Sequence, residues 1–92
     1  MKPRHSPGPW TAEGPDEIFG DYNIHEPLTR AAIGAVVSNL RPPEEVAANA
    51  RLAAASPEML AALDWIARHT PDDSVHHAVA KAAILKATGG LS

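Results

Sequence analysis

The chain is predicted to be an α+β domain in which a small antiparallel sheet of two to three short strands precedes three short helices. Three observations carry this. Up to Asn39 the large apolar residues sit in short runs bounded by turn-formers, and from Pro42 they recur at helical spacing. The third is the punctuation of the second half, where prolines followed directly by acids stand at Pro43-Glu44-Glu45, Pro57-Glu58 and Pro71-Asp72-Asp73.

Residues 1–16 contain Pro3, Pro7, Pro9 and Pro15 with Gly8 and Gly14, a density of breakers that predicts an extended arm. Trp10 is expected to pin that arm to the body, and residues 17–90 are expected to form a single domain. Within Glu17–Glu26, Ile18, Phe19, Tyr22 and Ile24 surround Gly20-Asp21, which suggests strand, tight turn or bulge, and strand. Ala31–Asn39, with Ile33, Val36 and Val37, reads as the best strand, and the sheet should run from about Ile18 to Ser38. Gly34 inside it suggests a bulge or the close approach of another backbone.

The helices are placed between Pro43 and Ala87. In the first, Val46, Ala50 and Ala53 share a face with Asn49, which is expected to turn inward and satisfy backbone groups. The serine-proline step at Ser56-Pro57 reads as a stop and restart, with Ser56 capping a second helix over Pro57–His69. That helix should bury Met59, Leu60, Leu63, Ile66 and Ala67 and show Asp64 and Arg68 as an outward pair. Thr70-Pro71 repeats the device for a third helix with a stripe of Val75, Ala78, Val79, Ala82 and Leu85, closed by Gly89-Gly90. The last two helices are thus expected to form a proline-initiated hairpin.

Composition narrows the function. Eight basic residues against eleven acidic ones give a formal net charge of −3 over 92 residues, with no basic cluster, which argues against non-specific nucleic-acid binding. The absence of cysteine excludes disulfides, thiol catalysis and thiolate metal sites. No run of residues approaches a membrane span and the basic start lacks an apolar leader, so a cytoplasmic protein is expected. Apolar residues make up 45 % of the chain, many of them alanine, and aromatics only 4 %. The core should therefore be thin, and a homodimer or higher oligomer would add burial.

"HSPGPW" at residues 5–10, "NARLAAASPEMLAAL" at 49–63 and the closing "AVAKAAILKATGG" at 78–90 together resemble a widespread group of small phage and prophage proteins of unassigned function. In that group the opening reads His-Thr-Pro-Gly-Pro-Trp and the helical step Asn-Ala-Arg-Leu followed by Pro-Glu-x-Leu. This chain departs at Ala53, where a bulky aliphatic is usual, and at Ser56 and Met59. The resemblance implies a phage or prophage gene expressed in a bacterial cell, and strands followed by helices. It carries over no catalytic, metal or cofactor residues.

Several residues invite a chemical reading. His69, His76 and His77 near Asp72 and Asp73 have metal-ligating chemistry, but neighbours on a helix point about 100° apart, and acids one turn before histidines suit a helix start. The serines lie in no nucleophile elbow, so catalysis is not expected and no cofactor is implied. Trp10 with Arg30, Arg41 or Arg51 could hold a nucleotide by stacking and charge, while Arg51 alone is equally readable as a solvated helix residue. The leading expectation is a non-enzymatic accessory protein that binds a host protein, for counter-defence or host takeover, through Asp16, Glu17, Asp21 and Tyr22 on the strand side and Trp65. The alternatives are a sponge that sequesters a small signalling nucleotide at an oligomer interface, and a virion assembly or structural component.

Overall fold

The computed structural model describes residues 5–90. It contains β1 (Thr11–Glu13), β2 (Tyr22–His25) and β3 (Ala32–Val36), then α1 (Pro43–Ala54), α2 (Ser56–Arg68) and α3 (Val75–Ala87). The strands form one antiparallel sheet in the order β1-β2-β3. The predicted class is therefore observed: a three-stranded sheet followed by three helices, the last two adjacent.

The strand positions differ from expectation in one respect. The first strand is Thr11–Glu13, in the proline-rich segment, and not the stretch around Ile18 and Phe19, which is a turn. The reason is local. Asp16 accepts hydrogen bonds from the amides of Ile18, Phe19 and Asp21, so these backbone groups are committed to a turn and cannot join a ladder. A bulge between Ile24 and His25 takes up the slack between β2 and β3, close to the predicted irregularity at Gly34.

Residues 5–57 and 58–90 form two compact units. In the first, α1 lies across the sheet and meets all three strands. Pro43 occupies its first turn with Glu44 and Glu45 at the positive end of the helix dipole, as the sequence predicts. Val46 and Ala50 are buried against Ile24 in the core, and the small Ala50 lets the helix approach closely. Asn49 and Arg51 are exposed, so the inward, backbone-satisfying role expected of Asn49 is not found. Asn49 follows Val46 by three positions and lands on the shoulder of the helix, while Val46 and Ala50, four apart, define the buried line.

The second unit holds most of α2 and all of α3. Ser56 is itself the first helical residue of α2 and does not stand outside it as a cap, because Ala55 keeps a helical conformation at φ −81° and ψ −1°. Of the face predicted for α2, Leu60, Leu63 and Ala67 are partly buried, whereas Met59 and Ile66 are exposed. The start of α3 also moves. Pro71–Ser74 is a turn closed by the Ser74 amide on the Pro71 carbonyl, and Ser74 caps the helix by accepting from the His77 amide at 3.0 Å. The stripe Val75, Ala78, Val79, Ala82 and Leu85 is exposed, and the inward side carries His77, Ala80 and Ile84. Apolar residues surround α3, so spacing alone does not choose a face. His77 chooses it: its Nδ1 donates to the Ala67 carbonyl of α2 at 2.9 Å.

Candidate functional site at one end of the sheet

The loop from Asp16 to Asp21, entering β2, is held by its own acids. Asp16 Oδ1 accepts from the amides of Ile18 at 2.9 Å and Phe19 at 2.7 Å, and Oδ2 accepts from Asp21 at 2.9 Å. These donors, Phe19 first among them, hold the Asp16 carboxyl below its ordinary pKa. Asp21 in turn accepts from the Ser38 amide at 2.7 Å, and the Ser38 hydroxyl donates to the Phe19 carbonyl. The loop is thereby tied to the segment that leaves β3. Gly14 secures its other side: a Cβ there would lie 2.8 Å from the Asp21 carbonyl oxygen and 3.0 Å from the Tyr22 ring.

What this frame displays is apolar. Ile18 is 82 % exposed and Phe19 70 %. Beside them Ser38–Arg41 forms a turn closed by the Arg41 amide on the Ser38 carbonyl at 2.8 Å. Both of its central residues, Asn39 (φ 42°) and Leu40 (φ 67°), have positive φ, the signature of a type I′ turn. Asparagine suits that region. Leucine does not, and Leu40 is also fully exposed, at 102 %. A strained backbone and an uncovered leucine thus coincide at one residue, two positions after the Ser38 that ties this turn to the loop carrying Ile18 and Phe19.

The residues singled out from the sequence fall into place around this frame. Asp16 and Asp21 build the loop, Tyr22 packs under Gly14, and Glu17 is exposed at the loop's outer side. Trp65, in the second unit, is exposed and stacks on His69 with ring centroids 4.1 Å apart, while His69 Nδ1 donates to the Trp65 carbonyl. Trp10 is partly buried, with its Nε1 donating to the Ser6 carbonyl at 3.1 Å and its ring edge-on to His5. Arg30 precedes β3 and Arg41 follows it, at the end of the Ser38–Arg41 turn. Arg41 pairs with Glu45 at 3.4 Å, and Arg51 lies exposed on α1.

The histidines are used locally. His77 bonds Ala67 and stands 3.9 Å from Asp72, and among the described residues no group of three or more His, Cys, Asp or Glu side chains converges as metal ligands would. A second carboxylate-built turn links β2 to β3. There Glu26, buried, accepts from the Thr29 hydroxyl and from the amides of Thr29 at 2.6 Å and Leu28 at 2.9 Å, which lowers its pKa in that order of effect.

Ile18, Phe19 and Leu40 are the residues that sequence reasoning missed as surface groups. The available signal was Asp16 three positions before Phe19, an acid placed to cap a turn. Among the described residues no helix is long and apolar enough to cross a membrane. A protein-family model described as Salmonella phage P22 protein Y8K6 matches residues 1–91. No curated protein and no solved structure matches the chain.

Proposed function

Because the chain belongs to this phage protein family, we propose that it is a phage accessory protein that acts by binding a host protein, without catalysis, through the apolar end of its sheet. The observation that carries the reading is the display of Ile18 and Phe19 on a loop fixed by Asp16 and Asp21, with Leu40 held beside them in a left-handed conformation. Exposed apolar side chains on an ordered loop lose little freedom on docking, and a central apolar anchor is the usual source of affinity at an interface. Leucine at a position that favours glycine is a local sacrifice of stability, and such sacrifices cluster at functional sites.

The acids contribute the frame, and Glu17 a charged rim. Binding of this kind suits counter-defence or host takeover, in which a small protein occludes a surface. Supporting the choice over a nucleotide sponge is the engagement of Arg41 by Glu45 within the chain.

The test is affinity capture from a lysate of the bacterial host with the wild-type protein and with an Ile18→Asp/Phe19→Asp variant. A host protein retained by the wild type at low and high salt, and lost with the variant, is the expected result. Capture that survives the double substitution, or that disappears with salt alone, would overturn the assignment to the apolar end. No retained protein would overturn host-protein binding.

A further inference from the structure

The two edges of the sheet are built differently. β1 is three residues long, lies between Pro9 and Pro15, and ends at Glu13, whose carboxylate is 3.4 Å from His25 Nε2. Shortness, proline and charge are the features that keep an edge from pairing with another chain. β3 has none of these three, and its one irregularity is the bulge opposite Ile24 and His25. From Ala31 to Val37 the sequence AAIGAVV carries no charge and no proline, and Ala32 to Ala35 are exposed. Among the described residues no strand covers its outer edge.

Gly34 adds a second, independent oddity. Its φ is not positive, and a Cβ built on it would meet nothing within 4 Å. Beyond the bulge beside it, neither a positive φ nor crowding within the chain requires glycine there, although glycine weakens a strand. Beside it opens a groove of about 220 Å³ lined by Trp10, Ile24, Val36 and Ala53. The space is lined mainly by apolar side chains, from β2, β3 and α1.

We infer that β3 pairs antiparallel with β3 of a second copy of this chain, about a two-fold axis at Ala35, joining two three-stranded sheets into one of six strands. In that register Gly34 stands opposite Val36 of the second copy, so the missing side chain makes room for a branched one beside the groove. Ile33 stands opposite Val37 of the second copy, and each covers an apolar side chain that is otherwise exposed. Ala35 meets itself on the axis, where a large or charged residue would meet its own kind. An uncharged strand suits self-pairing in particular, because a chain of net charge −3 opposes association wherever its acids face each other. The interface is distinct from the docking end formed by Ile18, Phe19 and Leu40, and antiparallel pairing places the two docking ends at opposite poles.

Sedimentation velocity and native mass spectrometry of the full chain test this. The expected result is a dimer for the wild type in the micromolar range, and monomers for Ala35→Lys and Ala35→Glu, each of which puts like charges on the axis. Mixing the two variants should restore a dimer containing one copy of each. Far-UV circular dichroism confirms that both variants are folded, and Ala35 is exposed in the single chain, so neither substitution touches its core. A wild-type monomer, a dimer indifferent to both substitutions, or monomeric variants that do not assemble when mixed would each overturn the pairing. So would a foreign peptide strand found on β3 of a monomeric wild type.

Discussion

Replacing Leu40 by glycine should make the protein more stable and a poorer binder. Leu40 occupies a left-handed position at φ 67° and, at 102 % exposure, has no packing to lose. An L-residue held there costs about 1–2 kcal/mol, which glycine does not incur. Against this, glycine loses about 0.5–1 kcal/mol more chain entropy on folding than a residue with a side chain. The balance favours the variant by roughly 0.5–1 kcal/mol, and the asparagine-glycine pair so created is the one type I′ turns prefer. For a domain of this size that is a rise of about 2–8 °C in Tm. Leu40→Ala is the control that separates the two effects: it keeps the strain and removes the side chain, so its stability should stay within about 0.5 kcal/mol of the wild type while binding falls as it does for glycine. Thermal and urea denaturation of the three proteins, with capture of the host partner alongside, measure both. A Leu40→Gly variant that melts below the wild type would refute the reasoning, since it would mean that the side chain holds the fold together. Unchanged capture by both variants would remove Leu40 from the docking end.

Gly14→Ala should act in the opposite sense. At φ 153°, with a built Cβ 2.8 Å from the Asp21 carbonyl oxygen, alanine must displace backbone, and a loss of about 1–3 kcal/mol is expected by urea denaturation; an unperturbed midpoint would show that the Gly14–Tyr22 contact is not tight. Acid should destabilise the first unit. Backbone and hydroxyl donors depress the Asp16 and Glu26 pKa values in the folded chain, so their contribution is complete above the ordinary carboxylate value of about 4 and is lost as the pH falls through the lower folded values. Tm should therefore decline below that point, and the decline should be shallower in an Asp16→Asn/Glu26→Gln variant; equal slopes would remove both carboxylates from the linkage.

Much of the fold was legible because local rules and packing agree there. Pro43, Glu44 and Glu45 start α1, and Val46 with Ala50 is the face it buries, as spacing predicts. Where the sequence misled, two local rules competed. Ile18 and Phe19 have strand propensity, but Asp16 offers their amides a carboxylate within three residues, and short-range hydrogen bonds prevail over a ladder that needs a distant partner. Around α3 the apolar residues mark no single face, so a contact outside the helix, His77 to the Ala67 carbonyl, sets its rotation. The site was half legible for the same reason. Asp16, Asp21 and Tyr22 were drawn to attention by charge and aromaticity, and they surround the docking end, but as its supports. Leu40 could not be read at all, because a left-handed φ is a property of the turn and not of leucine.

Ser38 joins the docking end to the pairing edge. Its amide binds Asp21, its hydroxyl binds the Phe19 carbonyl, and its carbonyl closes the turn that carries Leu40. It also follows Val37, the last residue paired in the inferred dimer. Holding Val37 against Ile33 of a second copy restricts Ser38, and through it both the Phe19 loop and the Leu40 turn, before any partner arrives. The little freedom that the braced docking end keeps is then reduced further by dimerisation, so dimer and partner should strengthen each other's binding by the same, small factor. The Ala35→Lys variant bears on this directly. As a monomer with Ile18, Phe19 and Leu40 intact, it should still capture the host protein but release it faster, and mixing in Ala35→Glu should restore the slower release. Equal release rates for monomer and dimer would separate the two surfaces and leave Ser38 a purely local brace.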